Sequence, residues 1–333
     1  MDTRAFIAIF LAVHTALAFL VPTSDVREIA HAVYLQALLL VWLLLLGSLI
    51  LFVQVARKRM LRPTHVMFRV ARRHRARFCE GAVFLVALSL MMQIYMVLKV
   101  SIPSLVPFFA DPFLADFDAI LFGQDPWRIS HAWLGAGATR FLDMFYVMPC
   151  VIVSLGMTIW VCFSKDRAFS KRSVLAIIMC WFIIGVWAAL ALSSAGPIYV
   201  EHFYGDPRFV GLQSALPSDL TATRTQAYLL ENFGAPGFGK GISAMPSMHN
   251  AIYLLLVWMI HDRFGNSWQL WSAIAFEATV FVASVHLGWH YALDGLIAAI
   301  MVPPIWYFAG RVETISLPVL NVAKSKSRAG HPA

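Results

Sequence analysis

SVHLGWHYALDGLIAAIMVPPIWYFAG, residues 284–310, decides which solvent this chain folds in. From Tyr291 to Gly310 the only charged side chain is Asp294. A helix needs roughly 20 mostly apolar residues to cross about 30 Å of hydrocarbon. Residues 290–310 therefore read as a membrane-spanning helix with His290 and Asp294 at its mouth. Such side chains are costly at membrane depth, and their presence marks a functional site.

Working outward, apolar runs of similar length recur near residues 5–22, 31–56, 80–100, 139–163, 173–196, 246–262 and 268–288. Hydrophobic residues make up 60% of the chain and charged residues 13%, against about 25% charged in a soluble domain. The expected fold is all-α, a polytopic transmembrane bundle of about eight spans. The first run ends at Val21-Pro22-Thr23 without a small-x-small cleavage site, and so reads as a retained helix. Cys150, Cys162 and Cys180 sit inside apolar runs and Cys79 adjoins a basic loop, a pattern that suggests neither a disulfide nor a thiolate metal site. Three sections follow: two helices and a basic loop over 1–79, a core over 80–311, and a basic tail over 312–333.

The net charge of +8 is a topology signal and does not point to nucleic acid. Nine Lys or Arg and no acid lie between Arg57 and Arg77, which keeps that loop in the cytoplasm. The same side receives Lys165, Arg167, Lys171, Arg172 and the tail, so both termini are expected there. The outer side then holds loops 101–138 and 197–245, with Asp111, Asp116, Asp118, Asp125, Asp206 and Asp219. Segment 103–127 is broken by Pro103, Pro107 and Pro112, and its Phe side chains suit the membrane interface.

A second polar cluster is GKGISAMPSMHNA, residues 239–251. Ser243 offers a helix cap and Pro246 suits a first turn, which places His249 near the outer start of the sixth span. Gly288 breaks the chain before the eighth span, with His290 in its first turn and Asp294 on the same face. The sixth and eighth spans run in one direction, so His249 and His290 lie at similar depth between two helix amino ends. Unpaired N–H groups there make an anion site. The i,i+4 spacing lets Asp294 accept from one nitrogen of His290 and leaves the other free as a nucleophile. His249 is then placed to act as general acid and base.

These residues resemble the type 2 phosphatidic acid phosphatase superfamily, whose second motif is Pro-Ser-Gly-His and whose third is Ser-Arg-x5-His-x3-Asp. Here they read Pro246-Ser247-Met248-His249 and Ala283-Ser284-x5-His290-x3-Asp294. The resemblance covers mainly residues 240–300. It implies a six-helix lipid-phosphatase-like core, a phosphohistidine on His290, His249 as the acid, and no metal or cofactor. Two departures stand out: Ser284 replaces the usual Arg, and Met248 replaces Gly. The first motif, Lys-x6-Arg-Pro, finds no counterpart, because the only Arg-Pro is Arg62-Pro63, preceded by Val55 where Lys belongs. With these departures the chain is similar to the branch containing fungal inositol phosphorylceramide synthase, which implies transfer of a lipid headgroup to an alcohol. Lys240, Arg140, Arg208 and Arg224 are the outer basic candidates for the phosphate grip, joined by Ser247, Ser284 and His286.

The expected partners are a membrane lipid phosphoester and an alcohol or water acceptor. A lipid phosphate phosphatase is the nearest alternative. A transporter, suggested by Glu277 in mid-span, is the alternative of another class. His286, His290 and Asp294 at i, i+4 and i+8 also raise a metal site, against which Gly288 interrupts the helix.

Overall fold

Helix α1, Thr3–Leu20, opens the computed structural model, which describes residues 2–21, 63–235 and 239–315 and isolated positions between 34 and 57. The span expected over 31–56 lies mostly outside the described residues. Helix α2, Pro63–Leu105, is far longer than its apolar run. Lys and Arg are good helix formers, so the basic stretch continues the helix. Two short helices follow, α3 at Asp111–Phe122 and α4 at Pro126–Trp133. Phe113, Phe117, Ile120 and Leu121 of α3 are exposed, while Asp111, Leu114 and Asp118 are buried. The helix thus has one exposed apolar face and one buried face that carries Asp111 and Asp118.

Helix α5, Ala136–Phe163, and helix α6, Arg167–Ala191, form the next pair. Within α6 the backbone passes into a π-helical stretch, Cys180–Ala188. The wider π turn brings Trp181 and Gly185 to the wall of the central cavity. Gly185 is required there, because a Cβ would fall 2.7 Å from the Tyr95 ring. After a loop with short helices comes α7, Thr221–Glu231. Three further helices follow, α8 at Met248–Phe264, α9 at Trp268–His286 and α10 at Ala292–Ile315.

Among the described residues, six helices are long and apolar enough to cross a membrane. Helix α8, at 17 residues, is a little shorter. No strand occurs among the described residues, and the chain is an all-α polytopic bundle. Helix α8 packs on α9 and α10, and α10 packs on α6. The long loops and the starts of α8 and α10 share one end of the bundle. Basic side chains gather at the other end, where Arg4 and Arg167 both reach Glu80.

Candidate active site

Two helix starts carry the site. Helix α8 begins at Met248 because Ser247 caps it, its Oγ accepting the Asn250 N–H at 3.5 Å and the Asn250 side-chain amide at 3.0 Å. The cap is thus Ser247 rather than Ser243, and Pro246 precedes the helix instead of lying in its first turn. At the other start, Gly288 has φ +75° and turns the chain out of α9. The N–H groups of Trp289 and His290 both donate to the Ser284 carbonyl, at 3.0 and 3.2 Å. His290 therefore sits in an irregular turn, and α10 starts two residues later at Ala292.

The i,i+4 relation survives this shift. His290 Nδ1 lies 3.0 Å from Asp294 Oδ2, which also accepts the Tyr291 N–H at 3.2 Å. The Ser247 N–H donates to the Asp294 carbonyl at 3.3 Å and ties the two histidine-bearing turns together. His249 Nδ1 lies 3.0 Å from the Tyr146 hydroxyl of α5. Each imidazole is thus held through Nδ1, and the Ala244 carbonyl is a second polar neighbour of the His290 ring.

Both histidines line one cavity of about 800 Å³, together with Tyr146, Ser243, Trp289 and Lys99. Lys99 comes from α2 and has no acidic partner among the described residues. Gly241 allows the loop before α8 to lie against it, since a Cβ there would be 3.0 Å from Lys99 Cγ and 3.1 Å from the Val100 nitrogen. One cation, two imidazoles and the amino end of α8 around one space select an anion.

Three buried carboxylates frame this arrangement from the loop end. Asp111 accepts the N–H groups of Ala195 and Gly196, each at 2.8 Å, and the hydroxyls of Tyr204 and Tyr291. Asp143 accepts the N–H groups of Thr221 and Ala222 at the start of α7. Asp118 accepts those of Ala292 and Leu293 at 2.7 and 2.9 Å, capping α10 from another segment. Burial pushes the Asp118 carboxyl up to about 6, against the opposite pull of these two N–H groups. In the sequence Asp111 and Asp118 look like ordinary loop charges.

The other candidates lie elsewhere. Arg140 pairs with Asp219 at 2.6 Å at the surface, and this bond holds the Asp219 carboxyl below its ordinary range. Arg208 binds Asp116 and Asp125. Arg224 is exposed on α7, and neither it nor Lys240 lines the cavity. Ser247 is occupied as a cap, and Ser284 Oγ donates to the Phe281 carbonyl at 2.8 Å. His286 is bonded through both nitrogens, to Ser130 and Thr139 at 2.9 Å each, and stacks on His131. Those bonds leave it no lone pair for a metal shared with His290.

Lys99 was legible in the sequence without Arg as a guide. Six residues separate it from Val106-Pro107, which is the first-motif spacing with Val in the Arg position. A search for Arg-Pro passes over it. A family model described as the PAP2 superfamily matches residues 112–308, well over half of the chain. No curated protein and no solved structure matches it.

Proposed function

Because the chain belongs to the PAP2 superfamily, whose members are phosphatases or phosphotransferases, we propose that it moves the phosphate-bearing group of a membrane lipid through a covalent intermediate on His290. The observation that carries this reading is the placement of His249, His290 and Lys99 around one cavity, with Asp294 on the far nitrogen of His290.

Asp294 fixes the proton on His290 Nδ1, so the Nε2 lone pair attacks phosphorus. The P–N bond forms as the bond from phosphorus to the leaving oxygen breaks. His249, held as an imidazolium by the bound phosphate, gives its Nε2 proton to that oxygen. Its Nδ1–H rests on the Tyr146 oxygen throughout. In the second half His249 Nε2 takes the proton of the acceptor hydroxyl, which attacks phosphorus and releases His290. Lys99 and the N–H groups at the start of α8 hold the non-bridging oxygens and oppose their growing charge. Lys99 thereby takes the place that the sequence reading offered to Lys240, Arg140, Arg208 and Arg224.

The acceptor is an alcohol, as in the inositol phosphorylceramide synthase branch, and the substrate enters from the outer leaflet with both termini cytoplasmic. The Ser284 and Met248 departures support the transferase over the phosphatase. Purified protein in proteoliposomes is given an inositol phospholipid labelled in its phosphate, with and without a lipid alcohol such as ceramide. A labelled new lipid formed only with the lipid alcohol is expected. Release of water-soluble label at the same rate in both samples replaces the transferase by a hydrolase. Full turnover by His290→Ala overturns the mechanism. Chelators leave activity unchanged.

A further inference from the structure

The cavity does not stop at the histidines. Along α2 its lining runs from Lys99 to Leu88, and along α5 from Asp143 to Thr158. At 1.5 Å per residue these stretches descend about 17 and 22 Å, compared with about 15 Å for half of the hydrocarbon layer. Below Lys99 no charged side chain lines it, and Met91, Met92 and Met96 of α2 supply soft walls. The polar groups at depth are already spent. Thr158 donates to the Ser154 carbonyl at 2.8 Å, and Ser154 Oγ lies 2.9 Å from the Tyr253 hydroxyl. Leu88, Met157 and Ile177, each buried, close the deep end. On one flank the lining includes Val151 and Leu155, whose side chains are more than half exposed, so the cleft opens sideways to the bilayer.

We infer that this cleft takes one hydrocarbon chain of the substrate out of the bilayer and into the protein, down to a floor at Leu88 and Met157, so that the enzyme selects its lipid by chain length. The inference rests on the phosphoester reading of the same site, which fixes the headgroup at Lys99 and makes the floor a stop. A chain reaching about one leaflet deep fills the cleft. A shorter chain leaves apolar wall uncovered, and a longer one must bend out through the Val151 flank.

The test uses octyl and hexadecyl phosphate carrying a diazirine on the last carbon, in detergent micelles, with His290→Ala protein so that binding is read without turnover. Hexadecyl label is expected on Leu88, Met157 or Thr158, and octyl label higher, near Met96 and Val147. Met157→Phe raises the floor and is expected to increase the hexadecyl concentration for half-maximal labelling about tenfold while leaving octyl unchanged. Met157→Ala moves the label of an eicosyl phosphate inward. Label confined to lipid-facing positions such as Val83 and Ile152 at every chain length overturns the inference, as does a Met157→Phe profile identical to the parent's. Deep labelling in a protein whose His290 forms no phosphohistidine removes the proposed mechanism and leaves the chain site standing.

Discussion

Tyr146 and Asp294 hold their imidazoles by the same ring atom but differ in charge. Each takes the Nδ1–H and so fixes a tautomer, the carboxylate adding a negative charge beside His290 and the hydroxyl none beside His249. Asp294→Asn keeps the shape but can turn an N–H toward His290 Nδ1 and favour the wrong tautomer. It is expected to lower kcat by about 10³- to 10⁴-fold with little change in KM, by analogy with the triad aspartate, in steady-state turnover in proteoliposomes. Lys99→Gln removes the cation that faces the phosphate, and kcat/KM is expected to fall about 10²- to 10³-fold. Lys99→Arg restores part of it. Substitution of Lys240, which lies outside the cavity lining, changes kcat/KM by less than Lys99→Gln does.

At the scale of elements, the site depends on how helices begin. The start of α10 relies on Asp118, 174 residues earlier in the chain. Folding holds the Asp118 proton more tightly than the unfolded chain does, whose carboxyl titrates near 3.9. Native stability from this group therefore falls as pH rises from about 4 through about 6 and is constant above. Asp118→Asn cannot titrate, so its thermal midpoint in detergent is expected to lose that part of the slope. Helix starts were partly readable from sequence. Pro-Ser-x-His and His-x3-Asp are local patterns, and Gly288 marked the turn. The extension of α2 and the π stretch of α6 were not readable, since neither changes the hydropathy that defines a span. The capping roles of Asp111, Asp118 and Asp143 depend on tertiary pairing, which no spacing rule reveals. Lys99 lay between these cases, with its spacing present and its expected Arg replaced.

Across the whole molecule, the native cysteines offer a test of sidedness. Cys79 is exposed near the basic end of α2, whereas Cys150, Cys162 and Cys180 are buried. A membrane-impermeant maleimide applied to intact cells or sealed vesicles is expected to spare Cys79 and to label it once the cytoplasmic face is opened. A cysteine placed at Asp219 labels in both cases. Labelling of Cys79 from outside inverts the topology. The capping of α10 by Asp118 also bears on biosynthesis. While the nascent chain is emerging, α3 is complete long before Ala292 and Leu293 exist, and its carboxylate waits in water for them. His249 can already reach Tyr146 of α5, but His290 gains Asp294 only when α10 has formed and its start has met Asp118. Turnover therefore begins with α10, and a ribosome-bound chain stopped short of it carries the earlier half of the site and no working enzyme.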